Sequence, residues 1–256
     1  YVEEVLNGNF PPYKEYDLLW FLANYADIEP WQKDIFEIIR EESFYFYPQY
    51  QTKIMNEGLA SQIHAEMGLL ATESGLLNHA EHMDYMALHS SVVQPGSSKL
   101  NLNPYYLGFE ILNEIRRDAR YNDKDEWEAV RNVINNEDDI SFLRNHLTQE
   151  LSNKLGMFTY KTIYDKNKDE YLEIESRDVK DIIEAQISQL YNYHAPLIYI
   201  EKADHNGLEL VHESTNIGTL DPKHMEKVGE YLYEIWGGEC VNIQTVDNDG
   251  EELNYT

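Results

Sequence analysis

Apolar residues recur at helical spacing through the first 155 residues and at alternate positions beyond Gly156, so the chain predicts two kinds of structure. Phe10 to Tyr16 is extended, because Pro11 and Pro12 forbid a helix interior. Asp17 opens a helix with Leu18, Leu19, Phe21, Leu22 and Tyr25 on its apolar side. Pro30 sits in the first turn of the next helix, whose stripe is Trp31, Ile35, Ile38, Ile39 and Phe46 and whose stop is Pro48. A third helix follows to about Ala71, with Ile54, Met55, Leu59, Ile63 and Met67 as its stripe. Glu73-Ser74-Gly75 breaks it, and a histidine-bearing helix runs on towards Val93.

Pro95 to Asn103 reads as a loop. Asn103-Pro104 opens a helix with Tyr106, Leu107, Phe109, Ile111, Leu112 and Ile115 on one face. Helices over Trp127–Asn135 and Ser141–Leu155 complete this part, the latter capped by Ser141 or Asp139 and stopped by Gly156. Strands Met157–Tyr164 and Tyr171–Ile174 then meet through the turn at 165–169. A helix from Ser176 or Asp178 to about Tyr193 follows. Pro196–Lys202 and Leu208–Glu213 form a hairpin around 204–207. Asp221-Pro222 opens a helix to Trp236, with Met225, Val228, Leu232 and Ile235 inward and Gly237-Gly238 at its end. Cys240–Val246 and Glu252–Tyr255 form the last hairpin through 248–250. The expected fold class is α+β: a mainly helical domain over 1–155, then a small domain over 156–256 built as hairpin–helix–hairpin–helix–hairpin.

Candidate chemistry sits on the third helix. Gly58 inside a helix costs about 0.5–1 kcal/mol relative to Ala, which suggests that something approaches the backbone there. Asn56 precedes it. Glu57 and His64 are seven residues apart, so they share a face at about 10 Å along the axis. That is too far for both to bind one ion, whose ligand bonds are about 2 Å. Glu57 is the candidate metal ligand, with His64 behind it or at the mouth of a cleft. The plain alternative is that Glu57 caps or pairs and His64 is surface or core. His79, His82 and His89 share one face of the next helix and are auxiliary metal candidates. The alternative there is an exposed, histidine-rich helix with His89 buried.

Composition narrows the partners. The 256 residues are enough for one large or two ordinary domains. With 42% hydrophobic and 12% aromatic residues the chain folds. No apolar run approaches the roughly 20 residues of a membrane span, and no signal-peptide pattern is visible. The chain begins at Tyr1 rather than Met, so a processed chain or a portion of a longer protein is expected. Against 47 acids stand 20 bases, a net charge of -27 spread along the chain. Such a surface repels phosphate backbones, so no nucleic-acid partner is expected. The charge suits a basic partner or adaptation to salt. The single Cys240 leaves no internal disulfide and no cysteine-based zinc site, and a cytoplasmic setting is expected.

Several strings together resemble the stage V sporulation protein R family. They are F-P-P-Y at 10–13, E-P-W-Q-K-D-I at 29–35, R-E-E-S-F-Y-F-Y-P-Q at 40–49, T-K-I-M-N-E-G-L-A at 52–60 with His64, and H-S-S-V-V-Q-P at 89–95. N-P-Y-Y-L-G-F at 103–109, F-L-R-N at 142–145, F-T-Y at 158–160 and L-Y-E-I-W-G at 232–237 follow in family order. The family motif thus takes in Asn56, Gly58, Asn103, Pro104 and Tyr105. Leu59 stands where the family usually has Trp, and Gln62-Ile63 where it has an aromatic pair. Family members also usually carry an upstream pair of His four apart that this chain does not supply, so it looks like the C-terminal portion or a shortened member.

The resemblance implies a cytoplasmic factor in spore cortex (peptidoglycan) formation, with its molecular activity open. N-E-G-L-A is also similar to the string that supplies the glutamate ligand in gluzincin aminopeptidases, which implies zinc and a peptidase or amidase. The chain has no H-E-x-x-H: His212-Glu213 is followed by Ser-Thr-Asn. A third reading is a non-catalytic acidic module that binds a protein partner. A cell-wall-related substrate fits the first two.

Overall fold

The computed structural model describes residues 10–96, 103–164, 170–190, 195–204, 207–214, 219–237, 240–246 and 252–255. Among these are the helices α1 (Leu18–Tyr25), α2 (Pro30–Gln51), α3 (Lys53–Glu73), α4 (His79–Val92) and α5 (Pro104–Tyr121). Next come α6 (Glu126–Asn136), α7 (Asp139–His146), α8 (Gln149–Leu155), β1 (Thr159–Tyr164) and β2 (Glu170–Ser176). The order closes with α9 (Val179–Gln189), β3 (Ile198–Asp204), β4 (Gly207–His212), α10 (Pro222–Ile235), β5 (Cys240–Val246) and β6 (Glu252–Tyr255). This is the expected α+β order, helical first and then three hairpins separated by two helices. No helix among the described residues is long and apolar enough to cross a membrane. The turns expected at 165–169, 205–206 and 248–250, part of the Pro95–Asn103 loop, the helix end beyond residue 190 and Gly238 lie outside the described residues.

The chain parts into two compact units, one of residues 1–48 with 188–256 and one of residues 49–187. The parting differs from a single cut at residue 155, and the first unit shows why. Its sheet runs β3-β4-β5-β6, with β3–β4 and β5–β6 antiparallel and β4–β5 parallel. A parallel neighbour needs a crossover, and α10 supplies it. Leu208 and Leu210 of β4 and Val241 and Ile243 of β5 alternate onto one buried face. Phe10, Phe21 and Leu22, far away in sequence, pack into the same core with Ile200 and Met225.

Three expectations on the helices fail in this unit. The stripe of α2 stays exposed at Trp31, Ile35, Ile38, Ile39 and Phe46; its inward residue is Phe36. Arg40 reaches Asp17, the cap of α1, at 2.7 Å and fixes that rotation. Nor does Pro48 end α2, which runs on to Gln51. A proline there forfeits one bond to the carbonyl of residue 44, which the helix tolerates near its end. On α10, Val228 is exposed, whereas Met225 is buried.

In the second unit α3 lies against α5, and the contact is made by glycines. A Cβ on Gly58 would stand 2.6 Å from Gly108 Cα and 2.8 Å from its carbonyl oxygen. This close approach turns α3 away from its expected stripe. Ile54, Met55, Gly58, Ser61, Gln62 and Gly68 are buried, while Ile63 and Met67 are exposed. The single helix expected over Ser141–Leu155 is two. Leu147 is extended and the Thr148 side chain caps the second, accepting from Leu151 N. The cap of α7 is Asp138, in a reciprocal box with Ser141, rather than Ser141 or Asp139. β1 and β2 pair antiparallel as a separate ribbon.

Candidate functional site

α3, α4 and α5 bring together residues from three separate stretches of the resemblance. The start of α3 is held from a distance. Thr52 makes no side-chain cap. Instead, buried Asp139 accepts from Ile54 N at 2.7 Å and Met55 N at 3.0 Å. Burial pushes its carboxyl up to about 6, against the pull of those amides. α4 begins in a capping box between Asn78 and Glu81. Asn103 joins α4 to α5. Its oxygen accepts from Tyr105 N at 3.0 Å, and its amide donates to Val92 O and Gln94 O at 2.7 and 3.1 Å. Pro104 occupies the first helical position, where no N–H is missed.

Two polar stations lie along α3. At the first, the Tyr105 phenol lies beside the Glu57 carboxylate, and that neighbour, more than burial, raises the phenol above its usual range. Asn56 turns back to Thr52 Oγ1 at 2.9 Å. Among the described residues no cationic side chain forms an ion pair with Glu57. At the second station, two turns along, His64 Nδ1 and His89 Nδ1 are 3.2 Å apart. The rings are stacked, 5.3 Å between centroids and 10° between planes. His64 is exposed and His89 buried. Burial first, and the neighbouring His64 charge second, lower the His89 pKa, so His89 is neutral at pH 7.

Both rings have aromatic walls. Tyr85 stacks on His64 at 4.3 Å and donates its hydroxyl to the His64 carbonyl at 2.8 Å. That ring fits only because residue 68 is Gly, where a Cβ would stand 2.6 Å from Tyr85 Cδ1. Phe109 meets His89 edge-on at 5.6 Å. The other histidines go elsewhere. His82 Nδ1 is 2.8 Å from Thr72 Oγ1 and 3.3 Å from Gly68 O, and His79 is exposed at the start of α4. Among the described residues no group of three acidic, imidazole or thiolate side chains is placed to hold a metal ion.

A polar network fixes α3 against α5 beside these stations. Buried Gln62 donates to Phe109 O at 3.2 Å and to Asn113 Oδ1 at 2.8 Å. Arg116 donates to Gln62 Oε1 at 3.2 Å, Glu66 at 2.6 Å and Glu126 at 3.1 Å. Its guanidinium covers the Trp127 ring at 4.6 Å. Sequence reasoning missed this network, Tyr85 and the reach of Asp139 to the start of α3, having read Asp139 only as a cap of its own helix. Tyr85 had a signal, standing four residues before His89 on one face; Asp139 acts across 85 residues and had none.

Comparison with known proteins follows the same residues. A family model described as "SpoVR like protein" matches residues 2–194. The protein YcgB of Escherichia coli (strain K12), described as uncharacterized, is 27% identical over 271 residues, covering 95% of this chain and 52% of that protein. The chain thus spans about half the length of that curated relative. No solved structure matches it.

Proposed function

The chain belongs to the SpoVR-like protein family, and on that premise we propose that the α3–α5 face is a metal-dependent hydrolytic centre for peptide or amide bonds. Glu57 is its carboxylate ligand. The observation that carries the reading is the Glu57 carboxylate, beside the Tyr105 phenol and unmatched by a cation among the described residues. A carboxylate with no cationic partner keeps its charged oxygens for an ion. Zinc is the ion that the motif favours. It lowers the pKa of a bound water to about 7 and polarises a carbonyl. The remaining donors are water, substrate or another chain segment, since Glu57 and His64 are two helical turns apart. If the family's implied role in the spore cortex extends to this chain, the scissile bonds are those of peptidoglycan peptides.

The test is hydrolysis of peptidoglycan-derived peptides and simple amides by the purified protein, with zinc and with a chelator. The reading expects metal-dependent turnover that Glu57→Gln abolishes while circular dichroism stays unchanged. Turnover that survives Glu57→Gln, or no metal-dependent turnover with any of these substrates, overturns it.

A further inference from the structure

The His64–His89 pair supports an inference that does not depend on Glu57. We propose that the two Nδ1 atoms form a binding site of their own for a first-row divalent ion, with zinc as its natural probe. Two nitrogens bound to one tetrahedral zinc at 2.0–2.1 Å stand about 3.3 Å apart, and these stand 3.2 Å apart. Among the described residues neither Nδ1 has another hydrogen-bond partner. The rings are held by contacts that do not use those atoms: the Tyr85 face on His64 and the Phe109 edge on His89. Exposed His64 gives the ion its entry path. The net charge of -27 raises the local concentration of cations.

Two imidazoles suit zinc, copper or nickel over calcium or magnesium, which take oxygen ligands. Two protein ligands leave the other positions of the ion to water or to a substrate donor. Because Glu57 lies about 10 Å along the axis of α3, an ion here is separate from one at Glu57.

The experiment is calorimetric titration of zinc chloride into the Glu57→Gln protein at pH 7.5, so that any ion held by Glu57 is absent. One equivalent is expected. Adding His64→Asn, or His89→Asn, should weaken it by more than about tenfold, the scale on which even outer partners of a metal site act. His79→Asn and His82→Asn should leave it unchanged. No zinc bound by Glu57→Gln, or binding indifferent to His64→Asn, overturns the proposal. Position 64 is exposed, so its substitution gives the answer even if His89→Asn fails to fold. Retained binding in Glu57→Gln without hydrolysis would uphold this site, and so would the same binding beside a failed hydrolysis reading.

Discussion

Replacing Asp139 tests how α3 is held in place. Its carboxylate receives the amides of Ile54 and Met55 at 2.7 and 3.0 Å and is 1% exposed. Thr52 offers no substitute cap. Loss of an N-cap costs up to about 2 kcal/mol, and a buried donor left without a partner costs about 1–3 kcal/mol. Asp139→Ala should therefore cost about 3 kcal/mol, and Asp139→Asn, which keeps one acceptor oxygen, about half as much.

Asp139 also predicts the sign of a pH effect. Its carboxyl titrates near 6 in the folded protein against 3.8 unfolded. The folded state binds the proton more tightly, so this group's stability contribution is full below the unfolded value and is lost as pH rises through 6. Between pH 5.5 and 7.5 the linkage relation gives a loss of about 0.8 kcal/mol for this one group. Asp139→Asn lacks it, and the other titrating groups cancel in the comparison. Denaturant unfolding followed by circular dichroism at the two pH values measures both quantities. An Asp139→Ala cost under about 0.5 kcal/mol would refute the capping argument. A wild type that loses no stability relative to Asp139→Asn as pH rises would refute the titration argument.

Three further outcomes follow from the same packing. Gly58→Ala and Gly108→Ala should each cost about 2 kcal/mol or more, because each Cβ meets facing backbone rather than a movable side chain; thermal unfolding checks this, and a neutral result at either position contradicts the close approach. Arg116→Ala should cost about 2 kcal/mol through its charge-assisted bonds to Gln62, Glu66 and Glu126, and Arg116→Lys should recover only part, lacking the planar fork. In an NMR titration His89 should ionise below the usual histidine range, and His64→Gln should move it upward by removing a neighbouring positive charge; a downward move would contradict the pairing.

The order of elements was legible because the apolar period changes from helical to alternate near Gly156, and because Asp17, Asn103 and Asp221 announce their helices as caps. The facing of the helices was less legible. Ile63 and Met67 read as core by spacing alone, but the Gly58–Gly108 approach sets the rotation of α3 and buries Ser61 and Gln62 instead. Only the oddity of Gly58 gave warning. Leu143, Leu147 and Leu151 recur every four residues and hide the break at Thr148, whose hydroxyl starts a new helix. The membership of Phe10 and Phe21 in the core of a sheet about 190 residues away has no local signature. At the site, Glu57, His64 and His89 were readable as chemistry-bearing types. Their partners were not: Tyr105 on Glu57 and His89 on His64 depend on how three helices pack.

Anomalous diffraction at the zinc edge, from crystals of the protein saturated with zinc, tests the Glu57 centre most directly. A peak about 2.0–2.2 Å from a Glu57 carboxylate oxygen is expected, absent in Glu57→Gln crystals of unchanged fold. Saturated crystals with no peak beside Glu57, wherever else zinc binds, would contradict it.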